Sequence, residues 1–180
     1  TAKDNIDRLA RIINDLLDIS KIESGRVVLK KELMDMVSLV TKITASFDSL
    51  AKAKKIQITS SFSHRTIEAR IDPDRITQVF MNLIWNSLKF THEGTITVSV
   101  HDAGERLDCC VADTGIGIEE KNLPNLFEKF IQFGRVEGGG DKGTGLGLAI
   151  VKGIIEMHKG TIRVESVVGQ GTRVLFSIPK

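Results

Sequence analysis

The sequence has no tyrosine, one tryptophan and three prolines in 180 residues. It has two cysteines, Cys109 and Cys110, and they are adjacent. Adjacent side chains on a strand point to opposite faces, so this pair does not suit a disulfide, and packed free thiols are expected. No run approaches the roughly 18 apolar residues of a membrane-spanning helix. Neither sign of charge dominates: 25 basic and 23 acidic residues are interspersed, for a net charge of +2. That balance leaves no basic footprint for nucleic acid. There is no internal repeat. What remains is 41% hydrophobic residues, enough for a core, in a length that fits one domain with a short appendage.

Cys110-Val111-Ala112-Asp113-Thr114-Gly115-Ile116-Gly117-Ile118 is the stretch that organises the rest. An apolar run reads as a buried strand, and this one ends in an acid and two glycines. A carboxylate at the end of a buried strand is costly unless something hydrogen-bonds it, and glycine lets backbone pass close to a neighbour. The segment alone fits either a tight turn or a pocket floor on which Asp113 accepts a ligand's amino proton.

The periodicity predicts a helix from about Asp4 to Glu23, capped by Asp4 and closed by Gly25. Its apolar stripe of Ile6, Leu9, Ile13 and Leu16, widened by Ile12 and Ile19, suits a helix bundle. A strand is expected over Val27–Leu33 and a helix over Met36–Lys54, with Lys52, Lys54 and Lys55 as its solvated end. Ile56–Thr59 and Ile67–Ile71 alternate as strands. Asp72-Pro73 starts a helix that runs to about Phe90. Thr95–His101 and Leu107–Ala112 are strands, Glu119–Phe130 a short helix, and 134–145 a glycine-rich loop. A helix over Leu146–His158 follows, then a hairpin of Thr161–Ser166 and Arg173–Ile178.

Two further groups carry chemistry. Asn82 and Asn86 stack four apart on one helix face, with Lys89 three beyond. They cap a neighbouring loop, or they face an anion and its cation, for which an amide oxygen is a suitable hard ligand. Gly143-Thr144-Gly145-Leu146-Gly147 opens a helix, where backbone N–H groups favour phosphate. It is neither the dinucleotide fingerprint, since no strand precedes it, nor a P-loop, since no Lys-Ser/Thr follows. The GxGxG alone is weak; its conjunction with the other two groups is what points to a nucleotide.

The order Asn82-Leu83-Ile84-Trp85-Asn86-Ser87-Leu88-Lys89-Phe90-Thr91, Asp113-Thr114-Gly115-Ile116-Gly117-Ile118, Leu126-Phe127-Glu128-Lys129-Phe130 and Gly143-Thr144-Gly145-Leu146-Gly147-Leu148 resembles the N, G1, F and G2 boxes of sensor histidine kinases. Gly169-Gln170-Gly171-Thr172 resembles their closing glycine motif. The resemblance implies residues 27–180 as a catalytic ATP-binding domain: an α/β two-layer sandwich, the Bergerat ATP-binding fold shared with gyrase, Hsp90 and MutL, with a mixed, mostly antiparallel sheet backed by helices. It implies residues 1–26 as the second helix of the dimerisation and phosphoacceptor hairpin, cut from a longer element.

By the same resemblance Asp113 takes the adenine amino group, and Gly115, Gly117 and Ile118 shape the base pocket with Phe90 stacked near it. Asn86 holds Mg²⁺ beside Asn82, and Lys89 pairs a phosphate. Gly143, Thr144, Gly145, Leu146 and Gly147 shape a lid anchored by Phe127 and Phe130. Thr172 reaches the base through water. ATP and Mg²⁺ are the implied cofactors. The implied partners are the phosphoacceptor hairpin of a dimeric kinase and a response-regulator receiver domain, with no membrane contact from this chain, in a cytoplasmic setting.

The expected chemistry is transfer of the γ-phosphoryl group to a histidine. None of His64, His92, His101 or His158 has the acceptor surroundings of that family, so the acceptor is expected on a helix that these residues do not include. The rival reading is an ATPase of the same fold. Such enzymes place a glutamate four residues before the metal-binding asparagine to activate water; here that position is Asn82, which cannot act as a base. A degenerate nucleotide-sensing or purely scaffolding module is the third reading.

Overall fold

The Asp72 carboxylate caps helix α4 (Pro73–Phe90) by accepting the Arg75 N–H at 3.1 Å, and proline fills the first turn, where its missing N–H has no intrahelical partner to lose. The same carboxylate accepts the Lys30 N–H at 2.8 Å. These coordinates are a computed structural model that describes residues 2–25, 27–131 and 144–180. Gly143 and most of the expected glycine loop therefore lie outside the described residues.

Five strands form one sheet in the order β2 (Ile56–Phe62), β4 (Gly94–Asp102), β5 (Arg106–Asp113), β7 (Gly171–Pro179) and β6 (Thr161–Val167). β2 runs parallel to β4, and every other neighbouring pair is antiparallel. A separate antiparallel pair joins β1 (Glu32–Asp35) to β3 (Glu68–Ile71). α2 (Met36–Ser46), α4 and α5 (Gly147–Met157) contribute the helical layer. Met36, Val40, Phe80, Leu83, Ile150 and Ile154 are buried from that side, and Ile96, Val98, Val111 and Phe176 from the sheet. Phe80 of α4 meets Phe176 of β7 edge to face at 5.4 Å. This is the two-layer sandwich with a mixed, mostly antiparallel sheet that the family resemblance implies. The cysteines are free: Cys109 is buried, Cys110 half-buried, and burial pushes both thiols up.

Several elements differ from expectation. The strand expected over Val27–Leu33 is confined to Glu32–Asp35, because only those residues find a partner in β3; Val28 is exposed. The helix expected over Met36–Lys54 breaks at Phe47 into α2 and α3 (Asp48–Ala53). Lys54 is not merely a solvated helix end, since its Nζ donates to the Leu88 carbonyl near the end of α4 at 2.8 Å. The helix expected over Glu119–Phe130 is reduced to a 3₁₀ turn, Glu120–Asn125, with Pro124 inside it. Helix α1 (Ala2–Glu23) ends where predicted and closes at Gly25 with φ +62°, but it begins before Asp4, which lies inside the helix and does not cap it. Its stripe divides, however: Ile6, Leu9, Ile13 and Leu16 are exposed, while Ile19 is buried against the rest of the chain. Among the described residues, no helix is long and apolar enough to cross a membrane.

Candidate nucleotide-binding site

Register builds the first half of the site. Asp113, the last residue of β5, lies opposite Thr172 of β7, and Thr172 lies opposite Ser166 of β6. A row of polar side chains therefore crosses three strands at one end of the sheet. Asp113 Oδ1 accepts the N–H groups of Gly115 (2.9 Å) and Thr172 (3.2 Å), and Oδ2 accepts the Ser87 hydroxyl (2.9 Å). Burial pushes the Asp113 carboxyl above the usual carboxylate range, against the opposing pull of those three bonds. Oδ1 has two donors and Oδ2 only one. The ionised carboxylate therefore keeps acceptor capacity on Oδ2, and its residue is half-buried rather than sealed.

The turn after Asp113 is stitched on both sides. Ile116 N–H donates to the Phe90 carbonyl (3.1 Å), and Gly169 N–H donates to the Ile116 carbonyl (2.8 Å). Ile118 N–H donates to Ser166 Oγ (2.9 Å), and that oxygen also lies 2.9 Å from Thr172 Oγ1. A Cβ on Gly115 would sit 2.5 Å from the Phe90 carbonyl oxygen, 2.9 Å from Thr91 Oγ1 and 3.0 Å from Asp113 Oδ1. Protein packing alone thus requires glycine there. Gly117, with φ +71°, packs against the Val167 carbonyl in the same way.

Helix α4 joins this half to the second. Ser87 and Phe90 lie near its C-terminal end, beside the Asp113 turn. Asn82 lies one turn and more earlier, and a Cβ on Gly147 would be 3.6 Å from Asn82 Oδ1. Asn82 is therefore beside the first turn of α5, the positive end of that helix. Asn86 and Lys89 are half-buried on the same helix, and Lys89 Nζ stands 5.0 Å from the centroid of the Phe90 ring. On the α5 side, Leu146 N–H donates to Thr144 Oγ1 at 3.2 Å. Phe130 N–H donates to the Gly145 carbonyl at 2.9 Å. Leu146 is buried; Phe130 is 63% exposed and has φ +63°. Phe127 is half-buried.

Two participants, Ser87 and Ser166, carry no functional motif of their own. Ser87 occupies a core position of α4 and yet is polar; a small hydroxyl among buried leucines was the signal for a buried partner, here Asp113. Ser166 left no signal, since alternation alone marks it as an ordinary strand residue.

The donor set fits a nucleotide on one observation: Asp113 Oδ2 has unused acceptor capacity beside glycines, as an exocyclic amine requires. Thr91 Oγ1, buried beside Gly115, has no hydrogen-bond partner among the described residues. The set fits Mg²⁺ only through a ligand: among the described residues, no group of three or more His, Cys, Asp or Glu side chains could hold a metal. The Asn86 amide oxygen is a hard donor that suits Mg²⁺ beside phosphate oxygens.

Comparison with known proteins agrees with this geometry. Residues 71–180 match the family model described as histidine kinase-, DNA gyrase B-, and HSP90-like ATPase. The circadian input-output histidine kinase CikA of Synechococcus elongatus is 37% identical over 180 residues, covering 98% of this chain and 24% of that protein. The crystal structure of full-length ShkA in complex with AMPPNP superposes with a TM-score of 0.87 at 28% identity, covering 98% of this chain and 36% of that one. Histidine kinase ThkA in complex with response regulator protein TrrA gives a TM-score of 0.79 at 25% identity, covering 99% of this chain and 49% of that one. The chain spans about a quarter to a third of the length of the first curated relatives it matches. With the family model covering the helix that carries Asn82 and Asn86, the Asp113 turn and the α5 turn, the chain belongs to the family of histidine kinase-, DNA gyrase B- and HSP90-like ATPases.

Proposed function

We propose that residues 27–180 are the ATP-binding catalytic unit of a sensor histidine kinase, and that residues 1–26 are the second helix of its dimerisation and phosphoacceptor hairpin. The observation that carries the nucleotide reading is the Asp113 carboxylate. Two backbone amides and the Ser87 hydroxyl orient it, and they leave it one acceptor position for the 6-amino group of adenine. Thr172, opposite Asp113, is close enough in register to serve the same base through water.

The polyphosphate then lies between α4 and the start of α5. Asn86 holds Mg²⁺ together with phosphate oxygens, Lys89 supplies positive charge, and the first N–H groups of α5 supply a positive helix end. Bound Mg·ATP supplies the transferable γ-phosphoryl group, and such transfer is chiefly positioning and charge stabilisation. Asn82 provides no base to activate water, which favours transfer over hydrolysis.

The acceptor is a histidine of the hairpin's other helix. His158 cannot serve. It is buried, its Nε2 accepts the Asp72 N–H (3.2 Å), and its Nδ1 donates to the Ile154 carbonyl (2.9 Å). A receiver domain is the onward partner, supported by the likeness to the ThkA–TrrA complex.

The test supplies labelled Mg·ATP to this chain, alone and with a separate intact acceptor hairpin. Label should appear on the hairpin alone, stable to alkali and lost in acid. Rapid phosphate release without labelled hairpin would mean an ATPase instead. Asn86→Asp should alter the Mg²⁺ dependence of ATP affinity and leave metal-free affinity much less changed; equal effects with and without Mg²⁺ in titration calorimetry would remove Asn86 as a metal ligand.

A further inference from the structure

His158, at the C-terminal cap of α5, is buried and takes no part in the nucleotide site. Its partners fix one neutral tautomer. The Ile154 carbonyl can only accept, so Nδ1 carries the ring proton (2.9 Å). The Asp72 N–H can only donate, so Nε2 is bare (3.2 Å). Asp72 is buried too, and its carboxylate both caps α4 through the Arg75 N–H and holds the Lys30 N–H. Of the charged groups that face the ring, Asp72 favours a charge on it and Lys31 opposes one. Glu156 and Lys159, its neighbours in sequence, are exposed. Burial, aided by Lys31, lowers the ring's pKa against the pull of the Ile154 carbonyl and Asp72.

α4 and α5 run antiparallel. Asp72 meets His158 at one end of the pair, and Asn82 meets Gly147 at the other. At 1.5 Å per residue the two contacts stand about 16 Å apart along α5. Between them Ile76, Val79 and Phe80 are buried on α4, and Ile150, Val151 and Ile154 on α5. Apolar packing of this kind is non-directional, whereas the His158–Asp72 bond fixes where the helices meet. The opposite end is where the proposed function puts the polyphosphate. A proton on Nε2 would set a donor against a donor. Either the Asp72 N–H then loses its partner, or the Asp72 carboxylate turns to the ring and gives up the cap of α4, and a buried group is left unsatisfied in both cases.

We propose that His158 is a positioning residue for the nucleotide's phosphates. As the neutral ring it pins α4 to α5 and sets the gap between Asn82 and Gly147. As an imidazolium it releases the pin, the gap widens, and Mg·ATP binds more weakly. The Asp113 turn is tied to the sheet and to the far end of α4, so the base pocket does not follow. The proposal rests on the nucleotide reading of the site.

The experiment uses the whole chain as wild type, His158→Gln and His158→Leu. Glutamine offers the Asp72 N–H an uncharged acceptor, and leucine offers none. Thermal melts show whether each variant folds; if His158→Leu does not, the pH series below decides alone. At neutral pH, titration calorimetry should give His158→Leu a Mg·ATP affinity about five- to tenfold weaker than wild type. His158→Gln should restore most of it, and adenosine should bind alike to all three. Ring-nitrogen magnetic resonance shifts then locate the pH at which wild-type His158 takes up its proton. Across that step wild-type Mg·ATP affinity should fall by a similar factor relative to His158→Gln at the same pH, while adenosine affinity keeps pace in the two proteins. Protonation of Asp113 would weaken both ligands in both proteins. Mg·ATP affinity that ignores the proton on His158, a ring that stays neutral until the chain unfolds, or a loss that adenosine shares equally overturns the proposal. If the wild-type chain binds no Mg·ATP, or binds it equally well as Asp113→Asn, the nucleotide reading fails and takes the proposal with it. Binding that depends on Asp113 and not on His158 overturns the proposal alone.

Discussion

The two glycine turns of the site are built differently. The turn that starts at Asp113 is held from α4, β4, β6, β7 and the β6–β7 hairpin. Phe90, Thr95, Ser87, Ser166, Thr172 and Gly169 all bond to it or to Asp113. The turn Thr144–Gly147 is held by Leu146 to Thr144, by Phe130 to Gly145, and by Asp15 of α1. One turn is fixed by the sheet itself. The other depends on a helix that has no place in the sheet. A base pocket gains affinity from being formed before the ligand arrives. Under the proposed function, the Thr144–Gly147 turn must admit a nucleotide's phosphates and present them to another helix, and such a turn is better left conditional.

The contrast can be broken most severely at Gly171. Its φ is +102°, and a Cβ there would fall on the Asp113 carbonyl. Gly171→Ala should cost about 3–5 kcal/mol of stability, combining backbone strain and overpacking. Gly145→Ala, with φ +73° and its closest contact 2.9 Å from Phe130, should cost less. Denaturant melts of the two variants check the order, and equal costs would mean that the turns are equally rigid.

Next in size is Asp113→Asn, which should weaken ATP binding by about 1.5–3 kcal/mol, the scale of a hydrogen bond to a charged group. Unchanged affinity by calorimetry would take Asp113 out of the adenine pocket.

Ser87→Ala should weaken ATP binding by about 1 kcal/mol and change its pH profile. Burial already raises the Asp113 carboxyl above the ordinary value of 3.8, and the Ser87 bond opposes that rise. Protonated Asp113 loses the acceptor that the amine needs, so ATP affinity should fall as pH drops through this raised value. Without Ser87 the fall should begin at higher pH. For stability the sign is opposite: a carboxyl with a raised folded pKa binds its proton more readily folded than unfolded. Ionising Asp113 therefore costs stability as pH rises through that window. An ATP titration series across acidic pH, in both proteins, decides whether Ser87 tunes Asp113.

The smallest effect is expected at Thr91. Its hydroxyl is buried and unpartnered among the described residues, so Thr91→Val should raise the melting temperature slightly, by about 1 kcal/mol of stability. A loss of stability would mean that Thr91 bonds to a water within the fold.

Much of this arrangement is legible in the sequence where a local signal coincides with a tertiary one. Asp72-Pro73 marks the start of α4 because capping and the proline's lost N–H are local matters, and both hold in the structure. The strands from Gly94 onward alternate because one face is buried by helices. Legibility fails where the deciding partner is far away. Val27–Lys31 reads as strand, but β3 is only four residues long and pairs with Glu32–Asp35 alone. The apolar period runs unbroken through Phe47, so the break between α2 and α3 leaves no mark in it. There Phe47 is buried edge-on to Trp85 at 5.5 Å. Within α1, hydrophobicity alone does not distinguish the face that docks on α5 from the exposed face; the aspartates at 15 and 18 are what separate them, through partners more than fifty residues away. Of the candidate site, the residue types are readable and their bonding is not: nothing before the structure joins Ser87 or Ser166 to the Asp113 cluster.

The measurement that tests the central claim most directly is an amide-resolved nuclear magnetic resonance titration of the isotope-labelled chain, first with adenosine and then with Mg·ATP. Adenosine should shift the amides around Asp113, Gly115, Ile118 and Thr172 and leave Thr144–Gly147 in place. Mg·ATP should shift both sets together. Mg·ATP that shifts neither set, or that shifts the Thr144–Gly147 amides while those of the Asp113 turn stay unchanged, would contradict the assignment of the two turns to one nucleotide site.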